Sequence, residues 1–137
     1  MDFFIIALVA ILVTAIADII TMKTPIGGID FMLYAPWVVA LTNVYAAVGL
    51  AFILLLSHAL VRNRIAHYIM LSFPAQLSAI AIGTVFGVNG FWFALILYFT
   101  ICTIIARFVG ALGGKYFGFV VLAVIFNVIL YTSHVFL

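Results

Sequence analysis

Apolar residues gather into five long runs, and the short breaks between those runs hold most of the charges. The runs cover residues 3–22, 36–61, 67–87, 91–109 and 116–137. Crossing ~30 Å of hydrocarbon takes roughly 20 apolar residues as a helix, and each run meets that length. The breaks are rich in helix-stopping and polar residues: Thr24-Pro25-Ile26-Gly27-Gly28, Arg62-Asn63-Arg64, Val88-Asn89-Gly90 and the stretch from Gly110 to Lys115. Pro36 suits a first helical turn, where its missing N–H would have no partner anyway. Pro74 is expected to kink the third span, because it removes a hydrogen bond to the carbonyl of Met70. Asn43 is expected inside the second span. The pattern predicts an all-α integral membrane protein, a single-domain bundle of five transmembrane helices over residues 1–137. The first run is preceded by Asp2 and lacks a basic flank, so it reads as a retained helix and not a signal peptide.

Composition agrees. Of the 137 residues, 70% are hydrophobic and 6% charged, with a mean hydropathy of +1.52. Soluble domains carry about a quarter charged residues, so the solvent for this surface is lipid. The net charge of +2 is a topology signal and not the footprint of a nucleic-acid binder. Arg62 and Arg64 lie in the second break, and Arg107 and Lys115 flank the fourth. The first break carries Lys23 with Asp30, and the third carries no charge. The positive-inside rule then puts the arginine-bearing breaks in the cytoplasm. With five spans the N-terminus is expected inside and the C-terminus outside, in a bacterial or archaeal cytoplasmic membrane or otherwise an organelle membrane. Short breaks predict that consecutive spans pack antiparallel. Cys102 is the sole cysteine, which excludes an internal disulfide and paired-cysteine zinc or redox chemistry.

Several residues in the spans carry candidate chemistry. Ala75, Ala79, Gly83 and Gly87 recur at every fourth position, as do Gly110, Gly114 and Gly118. Small residues at that spacing let helix backbones approach closely in lipid, either inside this bundle or against other membrane subunits or a second copy. Polar groups inside a membrane are functional candidates by default. Asn43, Gln76 and Asn127 are suited to hydrogen bonds between helices. Asp18 reads either as an interfacial acid near Lys23 or as a buried acid held by a partner helix. Haem or pigment ligation by His58 or His67 would require those residues to meet across the hinge at Arg62–Arg64. Interfacial positions account more simply for His58, His67 and His134, and the sequence requires no cofactor. There is no metal-ligand cluster, phosphate-cradling glycine loop or Ser/His/Asp set, and no metal site is expected.

Two resemblances follow from short motifs. Asp18, Lys23 and Pro25 look like the first motif of prepilin peptidases. The second aspartate those enzymes need is missing: Gly113-Gly114-Lys115 stands nearest to their second motif and offers no acid. Residues from about 46 to 137 resemble the MAPEG family of membrane-associated glutathione transferase-like proteins. The match rests on Arg64-Ile65-Ala66-His67 followed by Pro74, and on Ala106-Arg107 followed by Gly113 and Lys115. That resemblance implies an anionic ligand such as glutathione at the cytoplasmic face, held by Arg62, Arg64, His67, Tyr68 and Arg107. The family's asparagine and glutamate after the Ala-His pair are absent here, and the first span is additional.

Three functions are therefore expected in order. The first is a non-catalytic subunit or assembly partner of a larger membrane complex. The second is a MAPEG-like protein. The third is a small transporter or channel whose path is lined by Asp18, Asn43, Gln76 and Asn127. Whether the chain catalyses a reaction is left open by its residues.

Overall fold

In the computed structural model, residues 2–21, 33–62 and 65–137 are described, with the side chains of residues 62–71 set aside. Among the described residues there are five long α-helices and one short one: α1 (Phe3–Thr21), α2 (Tyr34–Ala40), α3 (Val44–Arg62), α4 (Ile65–Phe86), α5 (Phe91–Phe108) and α6 (Gly114–Thr132). Four stretches are long and apolar enough to cross a membrane: Phe3–Thr21, Val44–Val61, Ser72–Phe108 and Gly114–Thr132. The third of these is 37 residues long and folds back on itself at a 3-10 turn, Gly87–Gly90, into the hairpin of α4 and α5.

Local chemistry explains where the helices begin and end. The Asp2 carboxylate accepts from the Phe4 N–H at 3.1 Å and caps α1. Gly87 (φ +64°) and Gly110 (φ +72°) take left-handed backbone that a side chain would oppose. At the end of α5 the Ala111 N–H donates to the Ala106 carbonyl at 2.8 Å and the Gly110 N–H to the Arg107 carbonyl at 3.3 Å, the double bond of a glycine-ended helix.

Two expected spans change. The stretch 36–61 is not one helix. Asn43 lies between α2 and α3 and caps α3, its side-chain oxygen accepting from the N–H groups of Tyr45 and Ala46 at 3.1 Å each. An asparagine that satisfies two N–H groups of a helix start competes with continuing the helix through it, so the run divides at 41–43 and Asn43 is exposed. The stretch 116–137 also stops early. After Thr132, His134 (φ 53°) and Phe136 (φ 63°) adopt left-handed backbone. The Val135 N–H donates to the Leu130 carbonyl and the His134 N–H to that of Tyr131, both at 3.1 Å. The same closing motif thus forms here with a histidine in place of glycine. The helix that begins the third span starts at Ile65, two residues earlier than expected, and runs through Pro74.

The direction of α1 also departs from expectation. Asp18 and His58, each within about a turn of its helix's C-terminal end, bond to one another. The buried face of α1 holds Ala7, Ala10, Thr14 and Asp18, and that of α3 holds Ala47, Leu50, Leu54 and His58. α1 packs on α3 and, among the described residues, also touches α2, which leads directly into the start of α3. Only a parallel arrangement places the α1 start beside α2 while its end meets His58. Asp2 therefore lies at the end of the bundle where α3 starts and α6 finishes, so both ends of the chain share one end of the bundle. Consecutive-span antiparallel packing holds for α3 to α6 and fails between α1 and α3. Residues 22–32 lie outside the described residues.

Short helix α2 is buried along its whole length at that end. Trp37 and Tyr34 are fully enclosed. Phe91 stacks on Tyr131 with centroids 4.0 Å apart, and Trp37 packs edge-on against both. Asn127 of α6 accepts from the Tyr34 N–H at 3.1 Å and donates to the Ala123 carbonyl at 2.7 Å. The Tyr34 hydroxyl donates to the Val135 carbonyl at 2.5 Å. An aromatic plug thus closes one end of the bundle, tied to α6 by hydrogen bonds that the apolar surroundings strengthen.

Candidate functional site: the Asp18 and His58 pair

A helix in hydrocarbon satisfies its own backbone, so polar side chains are what its sequence can add to the interior. Near the end of the bundle opposite the plug, the Asp18 carboxylate bonds to Nδ1 of His58. Asp18 is 0% exposed and His58 4%. Both make further interactions as well. An ionisable pair enclosed by apolar helices is costly to desolvate and is held only by good geometry. Ionisable groups enclosed in this way are candidates for a functional site.

Three further polar side chains among the described residues have buried atoms without a hydrogen-bond partner. Both amide atoms of Gln76 and the hydroxyl of Thr14 are buried without a hydrogen bond, as is the Trp37 indole N–H. Thr14 lies one helical turn from Asp18 on the same face of α1. Gln76 is fully enclosed on α4, between buried Ala75 and Ala79.

The other residues singled out in the sequence fall in different places. Asn43 and Asn127 serve structure, as a cap and as a strap on α2. Ala75 and Ala79 are in the core. A Cβ built on Gly83 would lie 3.0 Å from the Trp37 ring and 3.1 Å from its carbonyl oxygen. Gly87 and Gly110 are in turns, while Gly114 opens α6 in an exposed position and Gly118 is half-buried. Arg107 is exposed in the last turn of α5, at the same end of the bundle as the close of α3 at Arg62 and the start of α6 with Lys115. Arg64 lies outside the described residues, as do the side chains of Arg62, His67 and Tyr68. His134 is exposed at the opposite end. No group of three or more metal-ligating side chains occurs among the described residues.

The sequence marks Asp18 as an acid that a partner helix could hold and His58 as interfacial; the structure buries His58 and makes it that partner. The signal was present: residues 7, 10, 14 and 18 of α1 are matched forty positions on by 47, 50, 54 and 58 of α3. Two apolar faces of the same period can pair in parallel once a short helix and loop bring the chain back. Periodicity alone does not say which pairing is used.

No family model matches the chain, and no curated protein or solved structure matches it.

Proposed function

We propose that the chain is an integral membrane protein whose five long helices cross the bilayer and whose Asp18–His58 pair carries a proton or small cation through it. The observation that carries this reading is the enclosure of a bonded carboxylate and imidazole among apolar helices. The reading replaces the assembly subunit as first choice for a physical reason. The small residues of α4 that would have met another subunit are occupied within the chain, Gly83 by Trp37 and Ala75 and Ala79 in the core. The transporter path shortens accordingly from Asp18, Asn43, Gln76 and Asn127 to Asp18, His58, Thr14 and Gln76.

Charge supports one orientation. Arg62, Arg107 and Lys115 belong to helix ends on one side of the bundle, and Asp2 to the other. The positive-inside rule makes the arginine side cytoplasmic, with both ends of the chain on the far side. Cysteines placed singly at Asn63 and Ser133 in sealed vesicles test this: they should label from opposite faces, and a cysteine at Asp2 should label with the Ser133 one. Labelling of positions 2 and 133 from different faces refutes the topology.

The activity is tested in liposomes holding a pH-sensitive dye, under a potassium diffusion potential. Purified protein should carry protons or sodium inward, and Asp18→Asn or His58→Gln should return the flux to that of empty vesicles. Flux undiminished in both variants sinks the reading.

A second reading rests on α6. Phe117, Val121, Ile125 and Ile129 form a stripe at every fourth position, each more than half exposed. A partner subunit could seat there as readily as lipid. Mild-detergent purification should then recover another chain in fixed ratio, lost on Val121→Trp.

A further inference from the structure

Helices α5 and α6 pack sparingly along their lengths. They meet near both ends: the Thr103 and Tyr116 hydroxyls lie 3.0 Å apart, and the Tyr131 ring packs on Phe91 and Trp92. Along α5 runs an open groove of about 340 Å³, lined by Ile96, Phe99, Thr100, Thr103 and Ile104. Phe99 is buried and forms its floor, while Ile96, Thr100 and Ile104 are exposed beside it. Both hydroxyls of the groove are engaged by their own helix. That of Thr100 donates to the Ile96 carbonyl and that of Thr103 to the Phe99 carbonyl, each at 2.7 Å. No hydroxyl hydrogen is left there to bind a polar ligand, whereas an apolar chain lying in the groove gains dispersion contacts along its length.

One end of the groove is charged. Residues 96, 100, 103 and 107 share one face of α5 by helical spacing. Arg107 therefore stands in line with the groove, one turn beyond Thr103. Lys115 follows in the first turn of α6, next to Tyr116. Both side chains are exposed, and neither has an ion pair or hydrogen bond among the described residues. The spacing has the scale of one leaflet. From Ile96 to Arg107 is ~16 Å at 1.5 Å per residue, and half of the ~30 Å hydrocarbon core is ~15 Å. With Ile96 at the mid-plane, Arg107 reaches the headgroup layer.

We infer that this groove holds one acyl chain of an anionic phospholipid from the leaflet on the arginine side, with the headgroup phosphate at Arg107 and Lys115. Basic residues at the cytoplasmic close of transmembrane helices attract anionic headgroups, and an arginine offers a phosphate two parallel donors. Charge decides between a lipid and a neighbouring helix. A helix seated in the groove would fill its apolar part and leave both cations unanswered, whereas one lipid satisfies both. The inference rests on the membrane topology proposed above and not on ion transport.

Native mass spectrometry tests it, on the full chain released from nanodiscs of equal parts dioleoyl phosphatidylglycerol and dioleoyl phosphatidylcholine. The two lipids share their acyl chains, so a preference reports the headgroup. One cation near an anionic headgroup is equivalent to about fivefold in affinity, so the pair should favour phosphatidylglycerol about 25-fold, with one lipid per chain retained. Arg107→Gln should cut that preference to about fivefold, Arg107→Lys should keep most of it, and Arg107→Gln with Lys115→Gln should abolish it. Thr100→Trp fills the groove from an exposed position and should release the retained lipid. Leu8→Trp, on the exposed face of α1, should not. Equal retention of the two lipids by the native chain, an unchanged preference in the double variant, or a release in Thr100→Trp no greater than in Leu8→Trp overturns the inference. A second polypeptide retained in the lipid's place does the same. No ion gradient enters the measurement, so a chain that keeps phosphatidylglycerol and carries no ion leaves the inference standing and removes the transport reading.

Discussion

Removing either member of the Asp18–His58 pair should cost more than an ordinary hydrogen bond. Truncating one partner of a buried ion pair leaves an uncompensated charge, at about 3–5 kcal/mol; a net hydrogen bond between neutral groups contributes about 0.5–1.5 kcal/mol. Asp18→Ala and His58→Ala are each expected in the higher range, because both side chains are enclosed. The double variant should cost little more than either single one, since it leaves no charge without a partner. That gives a coupling of about 2–4 kcal/mol, near the range measured for close charge pairs elsewhere. The cycle matters because both residues make further interactions, which the single variants would mix with the pair and the coupling term separates. Unfolding in mixed dodecyl maltoside and SDS micelles, followed by tryptophan fluorescence, supplies the free energies: Trp37 is fully buried and Trp92 half exposed, so the signals differ. Costs that add to within about 0.5 kcal/mol would show that the two groups do not act together, and the candidate site would lose its basis.

Three other outcomes follow from the fold. Gly83→Ala should destabilise by about 1 kcal/mol or more, as an overpacking cost of about 1–3 kcal/mol against an enclosed Trp37 exceeds the gain of just under 1 kcal/mol from alanine in a helix; a stabilised variant in the same micelle assay would refute the close approach of α2 and α4. His134→Gly should stabilise by about 1 kcal/mol, because glycine carries no penalty in the left-handed backbone that closes α6, and a lower unfolding midpoint would argue against that conformation. Burial, with a smaller contribution from Tyr131, pushes the Tyr34 phenol up to about 12 from its ordinary 10.0. Its folded value being the higher, the stability it contributes is complete below pH 10 and is lost as pH rises towards 12. Unfolding midpoints measured from pH 9 to 12 should fall over that window, and the fall should be smaller in Tyr34→Phe.

Much of the architecture was legible in the residues themselves. Apolar length marks the helices able to cross a membrane and the rough position of each, because lipid makes the same demand on every turn. Arg62-Asn63-Arg64, Val88-Asn89-Gly90 and the stretch from Gly110 to Lys115 mark breaks for reasons local to a few residues. Tertiary structure decided what depends on distant partners. Asn43 could bridge helices or cap one, and the start of α3 resolved it as a cap. His134 stops α6 in a backbone form that its side chain disfavours, and the Tyr34 bond to Val135 just beyond it ties that end to α2. Asp18 met His58 because α1 turned out parallel to α3. A polar group's own neighbours in sequence say that it must find a partner in lipid; which partner it finds depends on the directions in which whole helices run, and an all-round apolar helix leaves that choice to packing.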